Sequence, residues 1–63
     1  MNIGEKLKEI RVKSGFAQKN LAEKTGLATI TIQSYEANKF KPKLDTLEKI
    51  ALALDVSVSC FFE

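Results

Sequence analysis

The stretch from Gln18 to Ala37, QKNLAEKTGLATITIQSYEA, constrains the fold more than any other part of the chain. Gln18 to Thr25 is rich in helix formers, with Leu21 and Ala22 facing one way. Gly26 follows, where a chain leaving a helix needs a left-handed residue, and glycine takes that conformation without a Cβ clash. Beyond it the apolar positions are Leu27, Ile32 and Tyr35. Two short helices joined by a turn at Gly26 bring Leu21, Leu27, Ile32 and Tyr35 into one contact, and Ala22 is small enough to let the helices cross closely. A competing signal lies in Thr29-Ile30-Thr31-Ile32, four β-branched residues that read locally as a strand. A lone strand leaves its backbone groups unpaired, and no second strand is evident for it. The helical reading follows, with the corollary that the second helix is weak in propensity and held by packing.

The remaining sequence supports a single domain over residues 1–63, at the small end of what folds alone. The hydrophobic share, 44%, suffices for one small core. No apolar run approaches the ~20 residues needed to span a membrane. Met1 to Arg11 is amphipathic and charged, without the apolar core of a secretory leader. The expectation is therefore a cytoplasmic protein with no membrane partner. One cysteine, Cys60, makes neither an internal disulfide nor a metal site, and the absence of histidine removes both the usual zinc ligand and the commonest general base. No base stands near Ser14, Ser34, Ser57, Ser59 or Cys60 in this reading, and there is no glycine-rich phosphate loop. No catalytic residue, metal, cofactor or small-molecule ligand is expected.

Asn2 caps a first helix, with Glu5 three residues on completing a capping-box pattern. Ile3, Leu7 and Ile10 recur at helical spacing, and Ser14-Gly15 stops the helix near Lys13. Phe16 returns to the core. After Tyr35, Asn38 reads as a left-handed terminator, and Pro42 forbids a helix through it while holding Lys41 extended. Leu44, Leu47, Ile50, Ala51 and Leu54 predict a strongly periodic fourth helix. Ser57 caps a last short turn carrying Val58, Phe61 and Phe62. The result is an all-α bundle of five short helices, and the presence of the fifth predicts a complete domain. Net charge is only +2, but Lys39, Lys41 and Lys43 form a run with no acid between them, while Asp45, Glu48, Asp55 and Glu63 lie in the last third. That asymmetry fits a basic face and a more acidic back. A solvated lysine-rich loop is the plainer alternative.

With these residues laid out, the chain resembles the Cro/CI family of phage-repressor-like helix-turn-helix domains, the xenobiotic-response-element type. The likeness covers nearly the whole length. It rests on IGEKLKEIR, on Gln18 with Leu21-Ala22-Glu23-Lys24, on Gly26, Ile32, the Tyr35-Glu36 pair and Pro42, and on LDTLEKIALAL with the closing VSVSCFF. The resemblance implies a compact, lambda-repressor-like five-helix fold and sequence-specific binding of double-stranded DNA as a transcriptional regulator. A homodimeric repressor on a palindromic operator is the usual form. This sequence departs from the family pattern at Ala17, Ala28 and Lys43, where Ser or Thr caps are usual, and at Asn38, often Gly. Losing a side-chain cap costs roughly 0.5–2 kcal/mol each, so modest stability is expected, or a shifted start with Thr29 capping the third helix.

In such a domain the recognition helix, about residues 28–36, lies in the major groove. With Ile32 and Tyr35 inward, Thr29, Ile30 and Gln33 point outward at positions that match the family's usual base readers, with Thr31 and Ser34 beside them. Gln33 suits adenine N6 and N7, whereas Ile30 can only press on a thymine methyl. Burial of Ile30 in the core, or an idle surface Gln33, are the structural alternatives. Gln18 and Lys19 should meet phosphate from a helix start, and Asn38, Lys39, Lys41 and Lys43 should line the DNA backbone beyond the groove. Lys6 and Arg11 read first as solvated surface, although Arg11 is also the natural partner for Glu36. Phe40 either plugs its loop onto the domain or lies exposed. Val56, Val58, Phe61 and Phe62 are more apolar residues than one short helix needs, and are expected at a dimer interface unless they merely close the core. The alternative function is a protein-interaction module of the same fold, such as an antitoxin or anti-repressor, supported only by the apolar Ile30 on a polar face.

Overall fold

Asn2 starts the first helix as its capping pattern requires: its Oδ1 accepts the Glu5 backbone N–H at 3.0 Å. The computed structural model describes residues 2–63. It contains α1 (Ile3–Lys13), α2 (Gln18–Thr25), α3 (Thr29–Glu36), α4 (Leu44–Leu54) and a closing 3-10 helix (Val58–Phe62), with no strand among the described residues. The strand-like Thr29-Ile30-Thr31-Ile32 run is helical. Tertiary packing overrides its propensity, because Ile32 is fully buried against the core. The expected fifth α-helix is the 3-10 turn, started by Ser57, whose Oγ accepts the Ser59 N–H at 3.3 Å.

The core joins Leu7 and Ile10 of α1, Leu21 and Ala22 of α2, Ile32 of α3, and Leu47, Ile50, Ala51, Ala53 and Leu54 of α4, with Phe61 as its largest fully buried side chain. Phe16, Leu27, Tyr35, Val56 and Val58 pack against this cluster, half-buried. Leu44, expected inward, is exposed at the first residue of α4, where the extended Lys43 delivers the chain before the helix reaches the core.

The turns fall where the sequence places them. Gly26 is left-handed (φ 77°), and so is Asn38 (φ 60°). Asp55, at φ 59°, ends α4 in the same conformation, at the Asp55-Val56-Ser57 break in its apolar stripe. At the α2–α3 turn, buried Thr25 turns its hydroxyl back to the Leu21 carbonyl at 2.8 Å and accepts the Leu27 N–H at 3.4 Å.

Ala17, Ala28 and Lys43 stand at the N-caps of α2, α3 and α4, and none supplies a side-chain acceptor. Thr29 is the first residue of α3 rather than its cap, so the start is not shifted. In α2, Asn20 partly compensates by accepting the Ala17 N–H at 3.3 Å. Ala28 already has the extended backbone of a capping residue (φ −79°, ψ 150°). Ala28→Ser should therefore stabilise the protein by about 0.5–2 kcal/mol in denaturant titration, because the hydroxyl satisfies an orphan N–H without moving the chain. An unchanged midpoint would show that solvent already serves that end of α3 equally well.

Candidate nucleic-acid interface

The second helix of the pair presents two faces. Ile32 is buried and Tyr35 half-buried, packing α3 against α1 and α2. Ile30, 66% exposed, and Gln33 point away, with Thr29, Thr31 and Ser34 half-buried beside them. None of the described hydrogen bonds uses the side chain of Thr29, Ile30 or Gln33. The outward face therefore carries an amide, a hydroxyl and an aliphatic group free to meet a ligand.

Beyond α3, Lys39, Lys41 and Lys43 are exposed, and among the described residues none is paired with a carboxylate. Together with α3 this connection frames an open recess of about 500 Å³, lined by Ile30, Thr31, Ser34 and Tyr35 on one side and by Phe40, Lys41, Lys43 and Thr46 on the other. Helix α2 begins at Gln18 and Lys19, whose backbone N–H groups belong to the unpaired first turn of a helix. The recess beside α3 thus joins hydroxyl groups with the cations of Lys41 and Lys43, a combination suited to a polyanion.

The frame behind this face is a polar junction. Arg11 reaches from α1 and grips Glu36 at the end of α3 with two parallel bonds, Nε to Oε2 and Nη2 to Oε1 at 3.1 Å. Its Nη1 donates to the Phe16 carbonyl at 2.7 Å. Gln18 Nε2 donates to Glu36 Oε1 at 3.0 Å, tying in α2. Arg11 is thus buried, correcting its reading as solvated surface. The planar fork needs a carboxylate to face, and Glu36 is the one that α3 delivers. Gln18 spends one amide hydrogen on this junction, leaving its second amide hydrogen and its backbone N–H for an anion.

Asn38 is committed more fully. Its Oδ1 accepts the Gly4 N–H at 3.1 Å, and its Nδ2 donates to Asn2 Oδ1 at 2.6 Å. Its left-handed conformation aims the side chain at the start of α1, where both polar atoms find partners, and the residue itself stays exposed.

A helix-turn-helix family, HTH_3, matches residues 7–59. The chain belongs to this family. Among curated helix-turn-helix relatives, the transcriptional regulator ImmR of Bacillus subtilis is 39% identical over 57 residues, covering 90% of this chain and 45% of ImmR. The regulator SinR of the same organism is 40% identical over 57 residues, covering 89% of this chain and 51% of SinR. The chain thus spans about half the length of these relatives. The crystal structure of SinR, the master regulator for biofilm formation, in complex with DNA superposes with a TM-score of 0.89 at 37% identity, covering 97% of this chain and 98% of that one.

At the C-terminal side of this helix-turn-helix domain the expected interface residues divide. Phe61 is fully buried, so it closes the core and presents nothing to a partner. The 3-10 geometry turns one of the two adjacent rings inward and leaves the other, Phe62, exposed. Val56 and Val58 are half-buried. Leu52, on α4 but off its core stripe, is the most exposed large apolar residue among those described.

Proposed function

We propose that residues 1–63 form a DNA-binding domain of a transcriptional regulator, with α3 entering the major groove of a specific duplex. What carries this reading is the outward face of α3, free of internal hydrogen bonds and flanked by unpaired lysines. Membership of the helix-turn-helix family supports it, as does the close superposition on SinR, which is seen bound to DNA. Gln33 hydrogen-bonds an adenine edge, Ile30 packs on a thymine methyl, and Thr29 reaches a base or the adjoining phosphate. Thr31 and Ser34 lie at the groove wall. Lys39, Lys41 and Lys43 neutralise phosphates on one side, and Gln18 and Lys19 bind them on the other. The domain acts as a homodimer and a repressor in the cytoplasm, pairing through Val56, Val58 and Phe62, because one such domain reads only a short half-site.

Selection of bound duplexes from a random pool tests this directly. Two inverted half-sites in the enriched sequences are expected. A single unpaired half-site would remove the dimer, and no enrichment would remove sequence-specific binding. On the selected duplex, Gln33→Ala should cost about 1–3 kcal/mol and relax preference at one position, whereas Lys41→Ala should weaken all sequences alike and lower the salt slope by about one. Indistinguishable behaviour of the two variants would refute this division of labour.

The exposure of Ile30 favours one second reading, a protein-interaction module using the same helix face. The two separate by salt: binding to DNA falls steeply as salt rises, in proportion to the phosphates neutralised, and binding through an isoleucine does not.

A further inference from the structure

Phe40 is an aromatic residue that the fold leaves idle. Its side chain is 62% exposed, and it takes no part in the core cluster. It stands between Lys39 and Lys41 in the connection from α3 to α4, so it is held in a cationic segment rather than an apolar one. Lys41 beside it precedes Pro42, which limits how far this part of the connection can swing.

The same ring lines the recess in front of α3. Ile30 and Thr31 reach that recess from the first turn of the helix, and Lys41 and Lys43 reach it from the connection. Two large apolar groups exposed together, with cations at their edge, select against most occupants. A basic or purely apolar peptide would leave the lysines without partners, whereas a strand of nucleic acid satisfies both characters at once: its phosphates are anionic, and in the major groove thymine alone carries an apolar substituent, the 5-methyl group. Ile30 by itself offers that methyl only one surface. Phe40 supplies a second, from a different element.

We infer that this recess is a thymine site: the 5-methyl group of one thymine in each half-site is enclosed between Ile30 and Phe40, while Lys41 and Lys43 hold phosphates of the same strand. Phe40 is then a specificity-determining residue outside the recognition helix. The inference rests on the proposed base-reading role of α3 and adds to it a residue and the chemical group that it selects.

The test uses the duplex selected by the wild-type protein. Each thymine is replaced singly by uracil, which removes the methyl and nothing else. At one thymine per half-site, binding should weaken about fourfold, the effect of one buried methyl-sized group. Phe40→Ala should bind the thymine duplex more weakly and lose the thymine–uracil difference at that position. Its salt slope should stay at the wild-type value, because no lysine is removed. Phe40→Leu should keep part of the difference. Both changes are at an exposed side chain, and unchanged circular dichroism melting confirms that the fold is retained. Full thymine–uracil discrimination by Phe40→Ala overturns the inference. So does a selected duplex in which no thymine is sensitive to uracil, and in that case base reading by α3 survives. A random pool that yields no enriched duplex overturns both.

Discussion

Glu36→Ala should lower the melting temperature by about 12–40 °C, the consequence of losing about 3–5 kcal/mol in a domain of this size. Glu36 has only 5% of its side chain exposed and Arg11 only 10%. Removing the carboxylate leaves a guanidinium that keeps its charge, is shielded from water, and retains only the Phe16 carbonyl as a partner. It also strands the Gln18 amide. Two surrounding facts set the size of the effect. A buried pair is worth little compared with apolar groups of the same shape, but half a buried pair is expensive. And a chain this short has a total stability of only about 3–9 kcal/mol to lose. The double variant Arg11→Met, Glu36→Leu should therefore recover most of the lost stability, while Arg11→Met alone should also be destabilised. A single variant that melts with the wild type, read by circular dichroism or calorimetry, would show that water reaches the junction.

Gly4→Ala sets two principles against each other. Within a helix, replacing Gly by Ala gains about 1 kcal/mol in propensity, so the sequence alone predicts a more stable α1. In the folded protein an added Cβ would stand 2.5 Å from the Tyr35 carbonyl oxygen, 2.8 Å from that of Glu36 and 2.7 Å from Asn38 Oδ1. Two of these atoms are backbone at the end of α3 and have no rotamer to adopt. The first turn of α1 must lift away, breaking the Gly4–Asn38 hydrogen bond. Packing outweighs propensity here, and a net loss of about 1–3 kcal/mol is expected in chemical denaturation. Gly15 provides the comparison, since nothing lies within 4 Å of a Cβ there and only its positive φ resists substitution. A Gly4→Ala protein more stable than wild type would show that α1 and α3 are not held at the observed distance.

The helices were legible because each carried its own signal: Asn2 and Glu5 at the start of α1, Gly26 at the turn, the leucine–isoleucine stripe of α4. The outward face of α3 followed once Ile32 and Tyr35 were assigned inward. The Arg11–Glu36 pair was also within reach, because a charge beside an inward tyrosine needs a partner on the neighbouring helix. What escaped depended on distances between segments far apart in sequence. Asn38 looked like a polar residue in a basic loop, and nothing local reveals that its side chain meets Gly4 and Asn2 across 34 and 36 residues. Phe61 and Phe62 are adjacent and chemically identical, so only the rotation of a 3-10 turn decides which one is core. Leu44 had the right spacing but lies at the very start of α4, before that helix reaches the core. Gly4 carried no sign of close approach, since an N-terminal glycine reads as mere flexibility until the end of α3 is placed against it.

Helix α3 is anchored very unequally along its length. Its last residue, Glu36, and the following Asn38 are fixed to α1 and α2 by a buried ion pair and a set of short hydrogen bonds. Its first turn is uncapped, and its three outward side chains have no internal duties. It is built like a cantilever, tied to the rest of the fold at its root and free of side-chain ties at its tip. Such a mounting makes the tip replaceable: exchanging the residues at positions 29, 30 and 33 changes the outward face of α3 without disturbing the contacts that hold its end. In the proposed DNA-binding role, one scaffold would thereby acquire a new target by a few substitutions, each costing the fold close to nothing.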